Sequence, residues 1–191
     1  MVVAEGLAAY PSASFDDWAS YADAVVIVHI DSERAEPADE DRRRGEGLVP
    51  RTVTATASEV VWTYPGGPGT PDGPFEFLTA GWILHDGREH PMRYAGGARL
   101  EVGSSYLMPI FQDRATREWA ALSTTAAFPV DGERAVTAAA ESGGPDVGMT
   151  PSAVATAMEG ATPEAVAMEH RELSPRDRYL AVVADSPGGD G

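Results

Sequence analysis

The amino-acid sequence predicts a mainly β protein: a small β-barrel of five to six strands, with a short N-terminal helix and a helical C-terminal extension. Alternating or β-branched runs recur between residues 24 and 136. After residue 140 they give way to pairs of a hydroxyl residue and proline, which are typical of helix starts. We therefore expect a barrel domain over residues 14–139, and a helical extension with a frayed tail over residues 140–191.

The composition excludes several classes of function. The chain carries 30 acidic and 14 basic residues, a formal net charge of -16, and such a charge repels the phosphates of nucleic acids. Cysteine is absent, which excludes disulfides, thiol nucleophiles and cysteine-ligated metals. No apolar run reaches the roughly 18 residues that a membrane span needs. We predict no nucleic-acid partner, no transmembrane segment and no cofactor.

The first elements follow from local signals. Ser14 is suited to cap a helix and Asp17 to complete the cap, so a helix is predicted from Phe15 to Tyr21. The β-branched run from Ala24 to Ile30 predicts a central strand that is covered on both faces. The charged segment 33–47 has no apolar period and predicts a solvated loop.

Alternation and turn residues define the middle of the barrel. Residues 51–62 alternate threonine with valine or alanine, as in a strand with one face on the core and one in water. Residues 64–74, rich in proline and glycine, form a connection. In the next strand, 75–84, we expect Ile83 to share a face with the two phenylalanines, and Leu84 to share the other face with Leu78. Asp86-Gly87 predicts a hairpin turn that returns the chain through residues 92–94.

A bend is predicted at Gly103, where one strand passes a corner of the barrel. Leu100 and Val102 point one way before the glycine, and the β pattern resumes at Tyr106. Pro109 lacks a backbone donor, so this strand should lie at an edge or carry a bulge there. Asp131-Gly132 predicts a last hairpin.

Three short helices are predicted in the C-terminal extension. Each has a threonine or serine before a proline at its first helical position, the preferred order at a helix start. The predicted ranges are 151–159 after Thr150, 163–170 after Thr162 and 175–184 after Ser174.

The order of the barrel segments is similar to that in a known group of proteins. The stretches "YADAVVIVHI", "LEVGSSYLMPIF" and "AAFPVDGERAV" resemble the Ala-Asp-x-Val-Val, Val-Gly-x-x-Tyr-Leu and Phe-x-Val-x-Asp-Gly motifs of secreted or lipid-anchored proteins of actinobacteria and firmicutes. The resemblance spans residues 21–136 and implies a barrel similar to the oligonucleotide/oligosaccharide-binding (OB) fold. Netrin and metalloprotease-inhibitor barrels share that shape, but the inhibitors' zinc-chelating N-terminal cysteine has no counterpart here.

The stretch "LHDGREHPM" is the candidate metal site. It places His85, Asp86, Glu89 and His90 within six residues. If both imidazoles converge, they and one carboxylate could hold zinc or another divalent ion with open positions. The alternative interpretation is an ordinary polar hairpin tip.

The candidate binding surface is the polar face of the alternating strand. It consists of Thr52, Thr54, Thr56 and Ser58, together with Trp62. Barrels of this shape often bind ligands on a strand face lined by aromatic rings, and core packing is the alternative role for such rings. The aromatic residues concerned are Trp62, Tyr64, Trp82, Tyr94 and Tyr106.

These observations predict a non-enzymatic binding module whose partner is a protein or a glycan. We expect it outside the cytoplasm, secreted or at the cell envelope, if the chain is a processed form, and in the cytoplasm if the sequence is the whole gene product. Two alternatives stay open. The protein could bind metal, or be a metal-dependent hydrolase, through His85 and His90. It could also be a structural subunit of a larger assembly that docks through its C-terminal helices.

Overall fold

A curled half-barrel sheet forms the centre of the molecule. The computed structural model describes residues 1–4, 10–36, 45–131, 134–135 (backbone only) and 148–186. It confirms the mainly β prediction, although the described residues form nine strands rather than five to six. The strands are β1 Val2–Ala4, β2 Ala24–Ala35, β3 Gly47–Thr63, β4 Phe75–His85, β5 Arg88–Tyr94, β6 Ser105–Gln112, β7 Trp119–Ala121, β8 Phe128–Asp131 and β9 Arg134–Ala135.

The strand order is β1-β5-β4-β3-β2-β6-β8-β9, and β7 also pairs with β6. Only the β1–β5 pair is parallel among these pairings. Helix α1 (Phe15–Tyr21) precedes the central strand β2, as predicted. The Ser14 hydroxyl accepts a hydrogen bond from the Asp17 amide (3.0 Å), and the Asp17 carboxylate accepts one from the Ser14 amide (2.9 Å). This reciprocal capping explains why α1 begins where it does.

Strand β2 is covered on both faces, as predicted. Val26 and Val28 pack in the barrel interior, and Val25 and Ile27 pack in a second apolar cluster on the outside of the sheet. The loop prediction for 33–47 is wrong at both ends, because β2 continues to Ala35 and β3 starts at Gly47. There Glu33 lies opposite Val53 in the ladder. Residues 37–44 of that segment lie outside the described residues.

The predicted faces of β4 are wrong beyond its middle, because the pairing of β4 with β3 contains a β-bulge. Its register with β3 shifts by one residue between Val49 and Arg51, so that Pro50 lies opposite both Ala80 and Gly81. Such a bulge exchanges the two faces of a strand. Leu84 is consequently buried while Leu78 is 65% exposed, although simple alternation assigned them to the same face.

The corner at Gly103 is a turn rather than a bend within a strand. Leu100 is buried outside any strand, and Gly103 adopts a positive φ of 83° in a turn closed by a bond from the Ser104 amide to the Glu101 carbonyl (3.1 Å). Glycine adopts this conformation without steric cost.

Pro109 does not lie on an edge strand, because β6 is flanked by β2 on one side and by β8 and β7 on the other. The Pro109 carbonyl accepts from the Leu122 amide (2.9 Å), so the proline nitrogen faces the same side. There the partner of β6 changes from β8 to β7, and the missing donor breaks no continuous ladder.

The predicted hairpins are confirmed where the structure describes them. Asp86 and Gly87 both have positive φ, and β4 pairs with β5 on either side of them. Asp131 lies opposite Arg134, while Gly132 and Glu133 lie outside the described residues. A 3₁₀ turn, Thr124–Ala126, interrupts the predicted β pattern before β8.

All three C-terminal helices form: α2 Pro151–Gly160, α3 Ala165–Glu169 and α4 Pro175–Asp185. Thr150 and Ser174 cap α2 and α4 through their side chains, as predicted. Thr162 does not cap α3, because that helix begins two residues later than predicted and the Glu164 amide bonds instead to the Ser20 hydroxyl (2.8 Å). No helix among the described residues has the length and apolar character that crossing a bilayer requires.

Buried arginines attach the C-terminal extension to the sheet. We call Asp23, Arg114, Arg171 and Arg178 the joint. Arg178 is 1% exposed and donates to the carbonyls of Ser20 (2.6 Å) and Tyr21 (3.0 Å) at the end of α1. These carbonyls have no partner within the helix, and a positive charge is favourable at a helix C-terminus.

Asp23 is the counter-ion of the joint. Its side chain is fully buried, lies 2.8 Å from Arg114 and 3.4 Å from Arg171, and accepts from the Gln112 amide (2.9 Å). The guanidinium of Arg171 also stacks 3.9 Å from the Tyr64 ring centroid. The joint therefore links α1, the end of β6 and the C-terminal extension.

Candidate functional site

The sheet leaves an open seam between β4 and β7. Strand β4 pairs with β3 along most of its length, but with β5 only from Trp82 to His85. Strand β7 pairs with β6 over three residues. Cα atoms of β4 and β7 approach within 8 Å, yet no ladder joins the two strands among the described residues. The half-barrel is therefore unclosed along this line.

An apolar cavity of about 420 Å³ lies at the seam. Its wall is mainly aliphatic, with the rings of Trp82 and Tyr94 and the hydroxyl residues 123–125 among its lining. Two lining residues are largely in solvent: Leu48 is 57% and Leu78 is 65% exposed. We call this cavity the apolar half of the seam groove.

Two arginines fix the backbone around the apolar half. Arg51 is fully buried, pairs with Glu33, and donates to the carbonyls of Ala80 (2.8 Å) and Leu100 (2.6 Å). Burial lowers the pKa of Arg51, and the nearby charge of Arg99 lowers it further. The hydrogen bond to the Glu33 carboxylate raises the pKa of Arg51 against these effects, and the guanidinium stays protonated because arginine is not deprotonated in proteins.

Arg99 supports the same wall from the other side. It donates to the carbonyls of Gly81 and Met92, and its guanidinium carbon lies 5.0 Å from the ring centroid of Trp82. The planar, multidentate guanidinium suits such carbonyl bridging. These bonds hold the bulged part of β4 and the aromatic wall in place.

Gly81 allows the close approach of β3 and β4 at the bulge. A Cβ atom at this position would lie well inside van der Waals contact with the Val49 carbonyl oxygen, and 3.1 Å from the Pro50 carbonyl carbon. Any larger residue would force the two strands apart. The glycine is therefore required by the geometry of the groove wall.

A second cavity of about 380 Å³ continues the groove. Leu78 lines both cavities, so the two are adjacent. The second one contains three carboxylates, those of Glu76, Asp113 and Glu118. We call it the acidic half of the seam groove.

The hairpin tip brings together part of the predicted metal set. His85 Nδ1 lies 3.2 Å from a carboxylate oxygen of Glu46, and His85 Nε2 lies 3.7 Å from one of Asp86. Among the described residues, these three form the group whose ligand atoms lie within 4.8 Å of one another, and all are exposed. His90 and Glu89 are not in the group. His90 lies opposite Ile83 in the ladder, three residues beyond the turn.

The hydroxyls of the predicted binding face already have partners. Thr52 donates to Glu36 (3.0 Å), Thr54 to Glu76 (3.4 Å) and Thr56 to Asp31 (2.7 Å). Ser58 donates to the Ile27 carbonyl (3.1 Å). Trp62 is half-buried against the outer apolar cluster, and its ring lies edge-on to that of Tyr64. A ligand on this face would have to displace these hydrogen bonds.

The aromatic residues that the sequence analysis named lie in different parts of the structure. Trp82 and Tyr94 line the apolar half of the groove. Tyr106 belongs to the barrel core, and Tyr64 stacks in the joint. The groove itself was not predicted, because it is formed by segments about 40 residues apart. The exposed leucines at its edge are the signal that sequence reasoning missed.

The C-terminal helices use their buried residues within this chain. Val154 and Met158 of α2 and Ala167 of α3 pack in the outer cluster with Trp18. If the C-terminal helices dock onto a larger assembly, they would do so through the exposed apolar residues of α4, of which Leu180 is 52% exposed.

Fold and site together define a mainly β, half-barrel protein with a cleft at its unclosed seam. No family model, curated protein or solved structure matches the chain.

Proposed function

We propose that the protein is a non-enzymatic binding module that takes an apolar group of a protein partner into the seam groove. The observation that carries the proposal is the open cavity of about 420 Å³ with Leu48 and Leu78 at its surface. Ligand cavities commonly have volumes of about 300–1,000 Å³. Contiguous exposed apolar surface is typical of interaction sites.

The chemistry of the lining favours binding over catalysis. Among the described residues, the apolar half is lined by hydroxyl groups but by no carboxylate, imidazole or guanidinium. The Ser123 and Thr125 hydroxyls lie 2.7 Å apart. A hydroxyl becomes a nucleophile only with a base beside it, whereas this pair can orient a ligand.

The aliphatic wall favours a protein over a glycan. A sugar presents hydroxyl groups over most of its surface, and burying these without partners is unfavourable. Burying an aliphatic or aromatic side chain in the same cavity removes apolar surface from water, which is favourable. A protein partner is therefore the better fit of the two classes.

We also propose that the half-barrel is an OB-like barrel. The meander β2-β3-β4, the antiparallel return of β6 beside β2, and the approach of β7 to β4 support this. OB barrels are partly open Greek-key barrels, and the seam would be the open side.

The proposal is tested with the neutral apolar dye Nile red and the full chain. Leu78→Asp places a charge in the groove wall, and Leu180→Asp is the matched control on α4, with similar exposure. We expect dye fluorescence to fall at least fivefold in Leu78→Asp and to stay at the wild-type level in the control. Equal fluorescence of all three proteins would remove the groove as the binding site.

A further inference from the structure

We infer that the partner presents a peptide segment in which an apolar side chain is followed, within a few residues, by arginine or lysine. This inference rests on the proposed function and specifies its partner. It is drawn from the two halves of the seam groove. The apolar half would take the apolar side chain and the acidic half the cation.

The acidic half has carboxylates that are available to a cation. Asp113 accepts from the amides of Ala115 (2.8 Å) and Thr116 (2.9 Å), and these bonds lower its pKa and keep it charged. Among the described residues, the Glu118 carboxylate forms no ion pair. At Glu118 the acidic half therefore offers a negative charge without an ion-pair partner beside the apolar cavity.

Glu76 adds a third carboxylate that is only weakly compensated. Its ion-pair partner Arg34 lies 3.8 Å away and is closer to Glu36, at 2.9 Å. The formal net charge of -16 also favours a positively charged partner at long range. A strong field of one sign raises the association rate of molecules with the opposite charge.

The width of the seam determines how the segment lies. Neighbouring strands are spaced about 4.8 Å apart, so a strand inserted between β4 and β7 would need about 9.6 Å between them. At their closest these strands are within 8 Å. The segment therefore lies across the mouth of the groove and inserts side chains. In an extended chain, side chains two residues apart point to the same side about 7 Å apart, which suits two adjacent cavities.

The test uses defined peptides and fluorescence polarisation with the full chain. The probes are fluorescein-labelled Gly/Ser peptides with one leucine, phenylalanine or tryptophan and one arginine, one to four residues further on. Matched peptides carry citrulline, which has the shape of arginine without its charge. We expect at least one arginine peptide to bind about fivefold more tightly than its citrulline counterpart at low salt, as about 1 kcal/mol from exposed charge pairs gives.

Glu76→Gln/Glu118→Gln removes two of the three carboxylates of the acidic half. It should reduce the preference for arginine at least twofold and leave citrulline binding unchanged. Glu59→Gln/Glu159→Gln makes the same change of net charge at exposed positions outside the groove lining, and should preserve the preference. Equal binding of both peptide types, or equal loss in both double variants, would overturn the inference while leaving the proposed groove intact.

The absence of any peptide binding would also overturn it, as would a glycan that binds in place of peptides and is lost in Leu78→Asp. Failure of the dye experiment, by contrast, would remove the groove itself. The two proposals therefore fail in distinguishable ways.

Discussion

The joint and the seam groove both contain buried arginines, but they differ in whether the apolar surface beside these arginines is covered. In both, buried arginines donate to backbone carbonyls of segments distant in sequence. At the joint, helices cover the outside of the sheet and the apolar residues beneath them are buried. At the seam, the arginines hold a wall in place that no described part of the chain covers, and Leu78 remains 65% exposed.

The joint buries the apolar surface that it covers, whereas the seam leaves apolar surface in solvent. Exposed apolar surface gains nothing for the isolated protein. A rigid support beneath such surface limits the rearrangement that binding needs, and this preorganisation strengthens binding. The joint should therefore govern stability, while the groove governs binding. Variants at the joint should therefore change the free energy of unfolding more than variants at the hairpin tip.

Asp23→Ala should destabilise the protein by about 3–5 kcal/mol, because it leaves the partly buried Arg171 and Arg114 without their counter-ion. Asp185→Ala, at an exposed position of α4, is the control and should change stability by less than about 0.5 kcal/mol. Guanidinium chloride unfolding measures both. A loss below about 1 kcal/mol in Asp23→Ala would show that the joint is not a major source of stability.

Gly81→Ala should cost about 1–3 kcal/mol, because the new methyl group overlaps the Val49 carbonyl oxygen and the strands must separate. Gly73→Ala is the matched control, since its Cβ would meet no atom within 4 Å. Guanidinium chloride unfolding compares these two variants as well. Equal stability would contradict the assigned packing at the bulge.

Alkaline pH should weaken the packing next to the joint. Burial raises the pKa of Tyr10 to about 12, with a smaller opposing effect of Arg178, whereas in the unfolded chain it is about 10. Tyr10 therefore ionises at a lower pH in the unfolded chain than in the folded protein. Its contribution to the free energy of unfolding is fully present below pH 10 and is lost as the pH rises towards 12.

The Tyr10 contribution is up to about 2 kcal/mol. Tyr10→Phe should remove this part of the pH dependence. Unfolding free energies measured between pH 8 and 12 compare the two proteins, and parallel curves throughout that range would contradict the assigned burial of Tyr10.

Substitutions of the histidines at the hairpin tip should have the smallest effect on stability. Since His85, and not His90, lies beside Glu46 and Asp86, any zinc affinity should fall in His85→Ala and remain in His90→Ala. Isothermal titration calorimetry with zinc measures this, and neither variant should change the unfolding midpoint. Equal loss of zinc binding in the two variants would support the original two-histidine site instead.

Features with a local cause could be predicted from the sequence. The capping box of Ser14 and Asp17 predicted the start of α1, and Asp86-Gly87 predicted a hairpin. The face assignment in β4 failed because the bulge opposite Pro50 depends on the partner strand. The seam groove could not be predicted, since it depends on two strands that approach without pairing. The buried arginines bond mainly to backbone carbonyls, which carry no sequence signal.

NMR mapping of the isotope-labelled full chain with indole, a small neutral apolar probe, shows whether ligands bind at the seam. Amide shifts should concentrate in Leu78–Trp82 and Ala121–Thr125, on the two sides of the apolar half. Shifts concentrated instead in Thr52–Ser58 or in Pro175–Asp185 would contradict the account, because they would place binding on the threonine face or on α4.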